Sequence, residues 1–295
     1  MRATPQVTVA IVTHNSAAHL PGLLATLPAA LAGVDSWRVV VADSGSTDAT
    51  AELVRKLDPT ALLVRLGGNR GYAAGINAAY AALPPAAALL ILNPDIRLTA
   101  GAVRPLLQAL AQPAAGIAVP RLLDPGGRLL RSLRREPTVL RALGEAMIGG
   151  RAGRFPLLGE VVMDAQRYDR PAVVDWACGA VMLVAGDCLR KVGPWDESYF
   201  LYSEETDFAL RARDRGFSLR YVPESTAIHA AGGLVGAAAL WSLLARNRVR
   251  LFSRRHGRAR TAAFWAAVTA GEAVRVFTGR PRHRSAVRAL LGARP

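Results

Sequence analysis

Leu89-Leu90-Ile91-Leu92-Asn93-Pro94-Asp95 changes character at its midpoint. Four consecutive apolar residues predict a strand buried on both faces, of the kind found mid-sheet in α/β proteins. Pro94 has no N–H to donate and cannot continue a central strand. The strand therefore ends with an amide, Asn93, and a carboxylate, Asp95, in the turn at its carboxyl edge. Open α/β sheets bind ligands just outside that edge. A carboxylate there can hold a hard divalent cation, and the cation a diphosphate. Taken alone, the stretch also fits an ordinary turn with a solvated Asp, and the rest of the chain decides between the two.

Upstream, strand and helix patterns alternate. Val7–Val12 is an apolar strand followed by the cap-rich Thr13-His14-Asn15-Ser16 and by Leu20, Leu23, Leu24 and Leu27 at helical spacing. Arg38–Ala42 is a second strand, ending in Asp43-Ser44-Gly45-Ser46-Thr47-Asp48, a turn and helix-cap cluster with Glu52 after it. Ala61–Leu66 is a third. It runs into a Gly-rich loop, Gly67 to Gly75, which opens a helix through Asn77 and Tyr80. Such alternation predicts a parallel sheet with right-handed crossovers. All four strand-end loops then lie on one rim, which makes a ligand site: Thr13 and Asn15, Asp43, Asn69 to Gly71, and Asn93 with Asp95. Asp43 can accept from a ribose hydroxyl or a base N–H, while Arg70 and the loop N–H groups around Gly71 can meet phosphate oxygens. The Gly67–Gly75 run lacks the dinucleotide fingerprint and follows the third strand rather than the first, which excludes a dehydrogenase.

Downstream the pattern loosens. Gly116–Pro120 reads as a strand and Asp124-Pro125-Gly126-Gly127 as a hairpin turn. Residues 131–170 show weak periodicity and read as a loop that orders on binding. Val173–Val184 is apolar but interrupted, Glu204-Glu205-Thr206-Asp207 opens a helix to about Gly216, and Ser218–Val222 is a last strand before Ala227-Ile228-His229.

The chain has 295 residues and a net charge of +15, with thirteen Arg and one acid, Glu272, in residues 241–295. A basic tail on a near-neutral body points to an anionic partner for the tail. No stretch of 18 apolar residues occurs, so no membrane-spanning helix is expected. The N-terminus runs straight into a strand, which argues against a signal peptide. Cys178 and Cys188 fit no metal motif and read as packed thiols in a reducing compartment.

Seven motifs in order carry a resemblance: THNS (Thr13–Ser16), DSGSTD (Asp43–Asp48), NRGYAAGIN (Asn69–Asn77), LNPD (Leu92–Asp95), DWACGAVMLV (Asp175–Val184), GPWDESYFLYSEETD (Gly193–Asp207) and IHAAGG (Ile228–Gly233). Over about residues 7–233 the chain resembles a family 2 glycosyltransferase of the GT-A fold, in the rhamnosyltransferase-like branch. That resemblance implies an α/β fold with a Rossmann-like, mixed but mainly parallel sheet, a nucleotide-sugar half (1–120), an acceptor half (121–233) and an Arg-rich helical tail (234–295).

The resemblance also implies roles. Thr13 and Asp43 match base and ribose contacts. Asp95 matches the metal-binding carboxylate of an Asp-x-Asp motif whose first Asp is here Asn93, a weaker ligand for Mg²⁺ or Mn²⁺. His229 matches a His that approaches the diphosphate or its metal. The general base matches Glu205, where the family has Asp, with Glu204 the second candidate. One base suffices for a displacement that inverts the anomeric centre. Trp176, Gly179 and Trp195 are acceptor-side candidates, although core packing explains Trp195 equally well.

The implied donor is dTDP-rhamnose, and the implied acceptor a lipid-linked saccharide of cell-wall or polysaccharide assembly. The implied location is peripheral, at the cytoplasmic face of the plasma membrane, with the tail on anionic lipid and Phe252, Phe264 and Trp265 at the interface. Packing of the tail on the catalytic domain, or pairing into a homodimer, explains the same helices. Nucleic-acid binding is excluded because no recognition motif accompanies the charge. The alternatives are a UDP-hexose donor and a non-catalytic sugar-nucleotide-binding protein at the membrane.

Overall fold

Strand-forming Val, Ile and Leu runs and Ala/Leu-rich helical segments alternate from the start of the chain. In the computed structural model, which describes residues 6–230 and 238–292, the order is β1 (Val7–Thr13), α1 (Leu20–Ala30), β2 (Trp37–Asp43), α2 (Thr50–Leu57), β3 (Leu62–Arg65), α3 (Tyr72–Ala81), β4 (Ala88–Leu92), β5 (Ile96–Leu98), α4 (Val103–Leu110) and β6 (Ala115–Leu123). There follow β7 (Leu133–Arg134), α5 (Val139–Ile148), β8 (Ala172–Val174), β9 (Trp176–Ala177), β10 (Val181–Ala185), α6 (Gly186–Val192), α7 (Glu204–Asp214), β11 (Ser218–His229), α8 (Ala238–Arg255), α9 (Arg258–Val276) and α10 (Pro281–Gly292). The expected boundary at 233/234 and the end of the IHAAGG motif, Ala231 to Gly233, lie outside the described residues.

The chain divides into two units. The first comprises residues 1–132, 168–200 and 204–232; the second comprises 133–167, 201–203 and 233–295.

The first unit is built on a mixed sheet of strand order β3-β2-β1-β4-β10-β6-β11-β5, with β8 beside β11. β3, β2, β1 and β4 are mutually parallel, as the alternation predicts. β10 is antiparallel to both β4 and β6, and β11 is parallel to β6. β4 sits between β1 and β10, and its residues Leu89 to Leu92 are at most 1% exposed. A central strand has neighbours on both edges and layers on both faces, which is why its apolar run is unbroken. β11 runs past the expected end at Val222. Its pairing with β6 shifts register between Val222 and Thr226, where Pro223 removes a donor, and then resumes to His229.

The second unit corrects one expectation. Residues 131–170 are not a structureless loop: Val139–Ile148 is a helix, with Thr138 Oγ1 accepting the Arg141 N–H at 3.1 Å as its N-cap. Arg135 then pins the following turns by donating to the carbonyls of Gly153, Gly159 and Val161. Residues 133–167 group with the C-terminal helices, and Ala142 of α5 shares a core with Phe252, Phe264, Val268 and Leu290. A second correction concerns the tail aromatics. Phe252 and Phe264 are stacked at 4.1 Å and are 3% and 0% exposed, and the Trp265 indole N–H donates to the Leu290 carbonyl. Phe252 and Phe264 are core and not placed to settle in a membrane interface, and Trp265 is half-buried against that core. Among the described residues no helix is long and apolar enough to cross a membrane.

Candidate active site

The ends of β1 and β2 are in register, Thr13 opposite Asp43. Both are 1% exposed, and Thr13 Oγ1 donates to Asp43 Oδ1 at 2.9 Å. Ser46 closes the turn on the same carboxylate, Oγ to Oδ1 at 2.5 Å and N–H to Oδ2 at 3.2 Å. Asp43 is thus held by three donors at the rim. Asn15 adopts a left-handed backbone, φ 50°, and its Oδ1 accepts the Thr47 N–H at 2.8 Å. Its side chain ties the β1 loop to the β2 loop. Arg70 donates its backbone N–H to Ser44 Oγ at 2.8 Å, and its exposed guanidinium faces Glu197 at 3.5 Å, a loose pair that a ligand phosphate can displace. Gly71 has φ 87°, and a Cβ there would lie 2.2 Å from the Phe200 carbonyl oxygen. The Tyr72 N–H donates to that oxygen at 2.8 Å, so only glycine lets the two backbones meet.

The β4 stretch delivers its turn as expected. The Asn93 N–H donates to Ala180 O at 2.9 Å, and β5 pairs with β11 so that Ile96 stands opposite His229. This brings His229 Nε2 to 3.1 Å from Asp95 Oδ2, each side chain 15% exposed. Burial alone would raise the Asp95 carboxyl, but the hydrogen bond and charge of His229 outweigh it and hold the group below its ordinary value. An ionised carboxylate beside an imidazole nitrogen is a donor set suited to a divalent cation. No group of three or more His, Cys, Asp and Glu able to hold a metal occurs among the described residues. A cation here would therefore complete its shell with diphosphate oxygens and water, which is how Mg²⁺ and Mn²⁺ sit in nucleotide sites.

The helix α7 opens on the acidic pair. The chain reaches it through Phe200, Tyr202 and Ser203, all at positive φ (61°, 68°, 74°), a costly run for residues with a Cβ. Glu204 is 2% exposed, and its Oε2 has no hydrogen-bond partner among the described residues. Burial first, then the neighbouring Glu205 charge, push the Glu204 carboxyl well above its ordinary value. Glu205 is half-buried and packs on the backbone at Gly179, where an added Cβ would lie 3.1 Å from the Glu205 Cβ. Arg211 anchors α7 from below, through Asp207 at 2.7 Å and the carbonyls of Val192 and Pro194.

Tyr72 links these pieces and was not singled out by sequence. Its hydroxyl donates to Gly179 O at 3.2 Å. Burial raises its phenol well above the ordinary range, and the charges of Glu204, Cys178, Glu205 and Asp95 raise it further. One phenol therefore feels both the candidate base and the candidate metal carboxylate. It lies inside NRGYAAGIN, at the first residue of α3.

Of the acceptor-side candidates, Trp176 is half-buried and Gly179 lies against Glu205. Trp195 is corrected. It is 3% exposed and stacked on Phe208 at 4.4 Å, and its backbone N–H and C=O are both held by Asn77. No ring face is left for a sugar.

A family model described as glycosyl transferase family 2 matches residues 8–166. A protein of Mycobacterium tuberculosis named N-acetylglucosaminyl-diphospho-decaprenol L-rhamnosyltransferase is 31% identical over 238 residues, covering 77% of this chain and 76% of the relative. Rhamnosyltransferase WbbL of Escherichia coli is 44% identical over 57 residues, 19% of this chain and 22% of its own. Among solved structures, a mannosyltransferase of Pyrobaculum calidifontis in complex with GDP-Man and Mn²⁺ superposes with a TM-score of 0.61 at 18% identity, over 98% of this chain and 86% of that one. It shares the fold.

Proposed function

The chain belongs to glycosyl transferase family 2, and from that premise we propose that it inverts the anomeric centre of a sugar, rhamnose first, as it moves it from a thymidine diphosphate donor to a lipid-linked saccharide. The name of the mycobacterial relative, which specifies rhamnose and an N-acetylglucosaminyl-diphospho-lipid, supports that choice of sugar and acceptor. The single observation that carries the reading is the Tyr72 hydroxyl on the Gly179 carbonyl, which ties the Gly-rich loop and α3 to the segment that packs on Glu205. We assign the enzyme to the cytoplasmic face of the membrane that holds its acceptor.

In this reading Thr13 and Asp43 receive the nucleoside, and Arg70 and the backbone around Gly71 receive the phosphates. Asp95 and His229 would hold a divalent cation, which would supply positive charge against the leaving diphosphate. The acceptor hydroxyl attacks the anomeric carbon from the side of Gly179, and Glu205 takes its proton as the bond forms. The absence of a side chain at Gly179 lets the Glu205 side chain lie close against the backbone there. Glu204, kept neutral by burial, does not compete for the proton.

The test is nucleoside diphosphate release from thymidine, uridine and guanosine diphosphate sugars, with a polyprenyl-diphosphate N-acetylglucosamine acceptor, with Mg²⁺, with Mn²⁺ and with chelator. Acceptor-dependent release from dTDP-rhamnose is expected. Preference for a UDP-hexose overturns the donor. Tight binding of every donor without release overturns catalysis in favour of a binding role.

A further inference from the structure

We propose that the second unit docks on an anionic bilayer through an apolar face built by α5, residues 155–157 and the end of α9. This deepens, and rests on, the lipid-linked acceptor of the proposed function.

α5 is inverted relative to an ordinary surface helix. It buries its small residues, Ala142 and Gly144, and leaves Leu140, Leu143 and Met147 49%, 43% and 81% exposed. Two neighbours extend this face. Arg141 Nε donates to Pro156 O at 3.0 Å and a Cβ on Gly144 would touch Leu158, so residues 155–158 lie along α5. Phe155 and Leu157 there are 53% and 69% exposed. On the other side Gly271 packs on Ala146, and Arg275 donates to the Glu145 carbonyl at 2.8 Å. The end of α9 therefore runs beside the end of α5 and presents Phe277, 93% exposed. Large apolar side chains gathered on one face mark an interaction surface.

Charge selects the occupant. The second unit holds nineteen Arg and five acids, +14 of the net +15. Four of the five acids are ion-paired inside the unit: Glu136 with Arg255, Glu145 and Glu160 with Arg248, and Glu272 with Arg275. Arg151, Arg154 and Arg280 are exposed beside Phe155 and Phe277. A second copy would bring an equally basic face, and like charges would oppose the contact. An anionic lipid surface meets both the apolar face and its basic rim. α5 has ten residues, so it lies in the interface plane. The membrane-facing element is thus α5 and the α9 end, with Phe252 and Phe264 inside the core that supports it.

The experiment is co-sedimentation of the full chain with phosphatidylglycerol-containing and with pure phosphatidylcholine vesicles. It compares wild type with the double variant Met147→Glu/Phe277→Glu and with Arg151→Gln/Arg154→Gln. Wild type is expected to prefer the anionic vesicles by about tenfold or more, each double variant to lose about tenfold, and thermal melting and nucleotide-sugar affinity to stay unchanged. Wild-type binding by Met147→Glu/Phe277→Glu, or no vesicle binding by wild type, overturns the proposal. So does a dimer in gel filtration that this variant converts to monomer, because the face would then belong to a second copy. Turnover is measured in parallel with a short-chain, water-soluble diphosphate acceptor. Vesicle binding through this face with no turnover of any acceptor would sink the proposed function and leave the docking surface standing.

Discussion

Glu204 and Glu205 are neighbours in sequence and differ in exposure. Glu204 is 2% exposed; Glu205 is half-buried against Gly179. Glu205→Gln keeps the shape and removes the base, so kcat should fall by about 10² to 10⁴ while donor affinity holds. An equal loss in Glu204→Gln and none in Glu205→Gln would reverse the assignment. The pH dependence follows from Glu204. Its folded carboxyl sits well above the ordinary 4.5 because burial and Glu205 disfavour its charge. A raised value means the stabilising contribution is complete below the unfolded pKa and is lost as pH climbs through the folded one. The wild-type melting temperature should therefore decline relative to Glu204→Gln as pH rises above the ordinary carboxylate range; parallel profiles would refute a buried, neutral Glu204. At the metal position, His229→Ala should raise the Mn²⁺ concentration for half-maximal activity by about 10- to 100-fold, with donor affinity measured in chelator unchanged. Most of these residues are legible from motif order, but Tyr72 is not: a tyrosine opening an Ala-rich helix carries no mark of the carboxylates that fold around it.

At the scale of elements, the first half is legible because β4 is apolar throughout, β1 nearly so, and turn residues follow the strands, so local pattern and sheet agree. α5 is not, because its wheel is apolar on nearly every side and the small residues, not the large ones, face the core. What holds it lies about a hundred residues away in α8 and α9, where no window of sequence can see it. The end of β11 is hidden for a different reason: Pro223 reads as a stop, whereas the strand bulges there and continues to His229. The join between α5 and α8 is Arg248, which donates to Glu145 at 2.6 Å and also to Glu160. Burial raises the Glu160 carboxyl, and Arg248 opposes that. Removing the guanidinium that pairs with both carboxylates leaves charge poorly compensated. Arg248→Ala should destabilise the second unit by about 3–5 kcal/mol, whereas exposed Arg246→Ala should stay within about 0.5 kcal/mol. Urea denaturation of both variants checks this, and equal midpoints would show that the triad carries no stability.

For the whole molecule, charge divides with the units: +14 lies on one and about neutrality on the other. The basic tail is legible as an anion-seeking segment, but not as half of a folded unit, because residues 133–167 that complete it lie a hundred positions upstream. That changes what truncation can report. Cutting after residue 240 would strip Phe252, Phe264, Val268 and Leu290 from Ala142 and take Arg248 from Glu145 and Glu160. The remnant would expose an apolar helix on both sides and leave Glu145 and Glu160 without the guanidinium that pairs them. Such a chain should aggregate or lose its cooperative melt, measured by light scattering and calorimetry, and its failure to bind vesicles would then say nothing about lipid. A truncated chain that stays monomeric and melts in one sharp transition would show that α5 does not depend on the helices after it. Point changes on the outer face leave the core whole, so they separate what the tail touches from what it holds together.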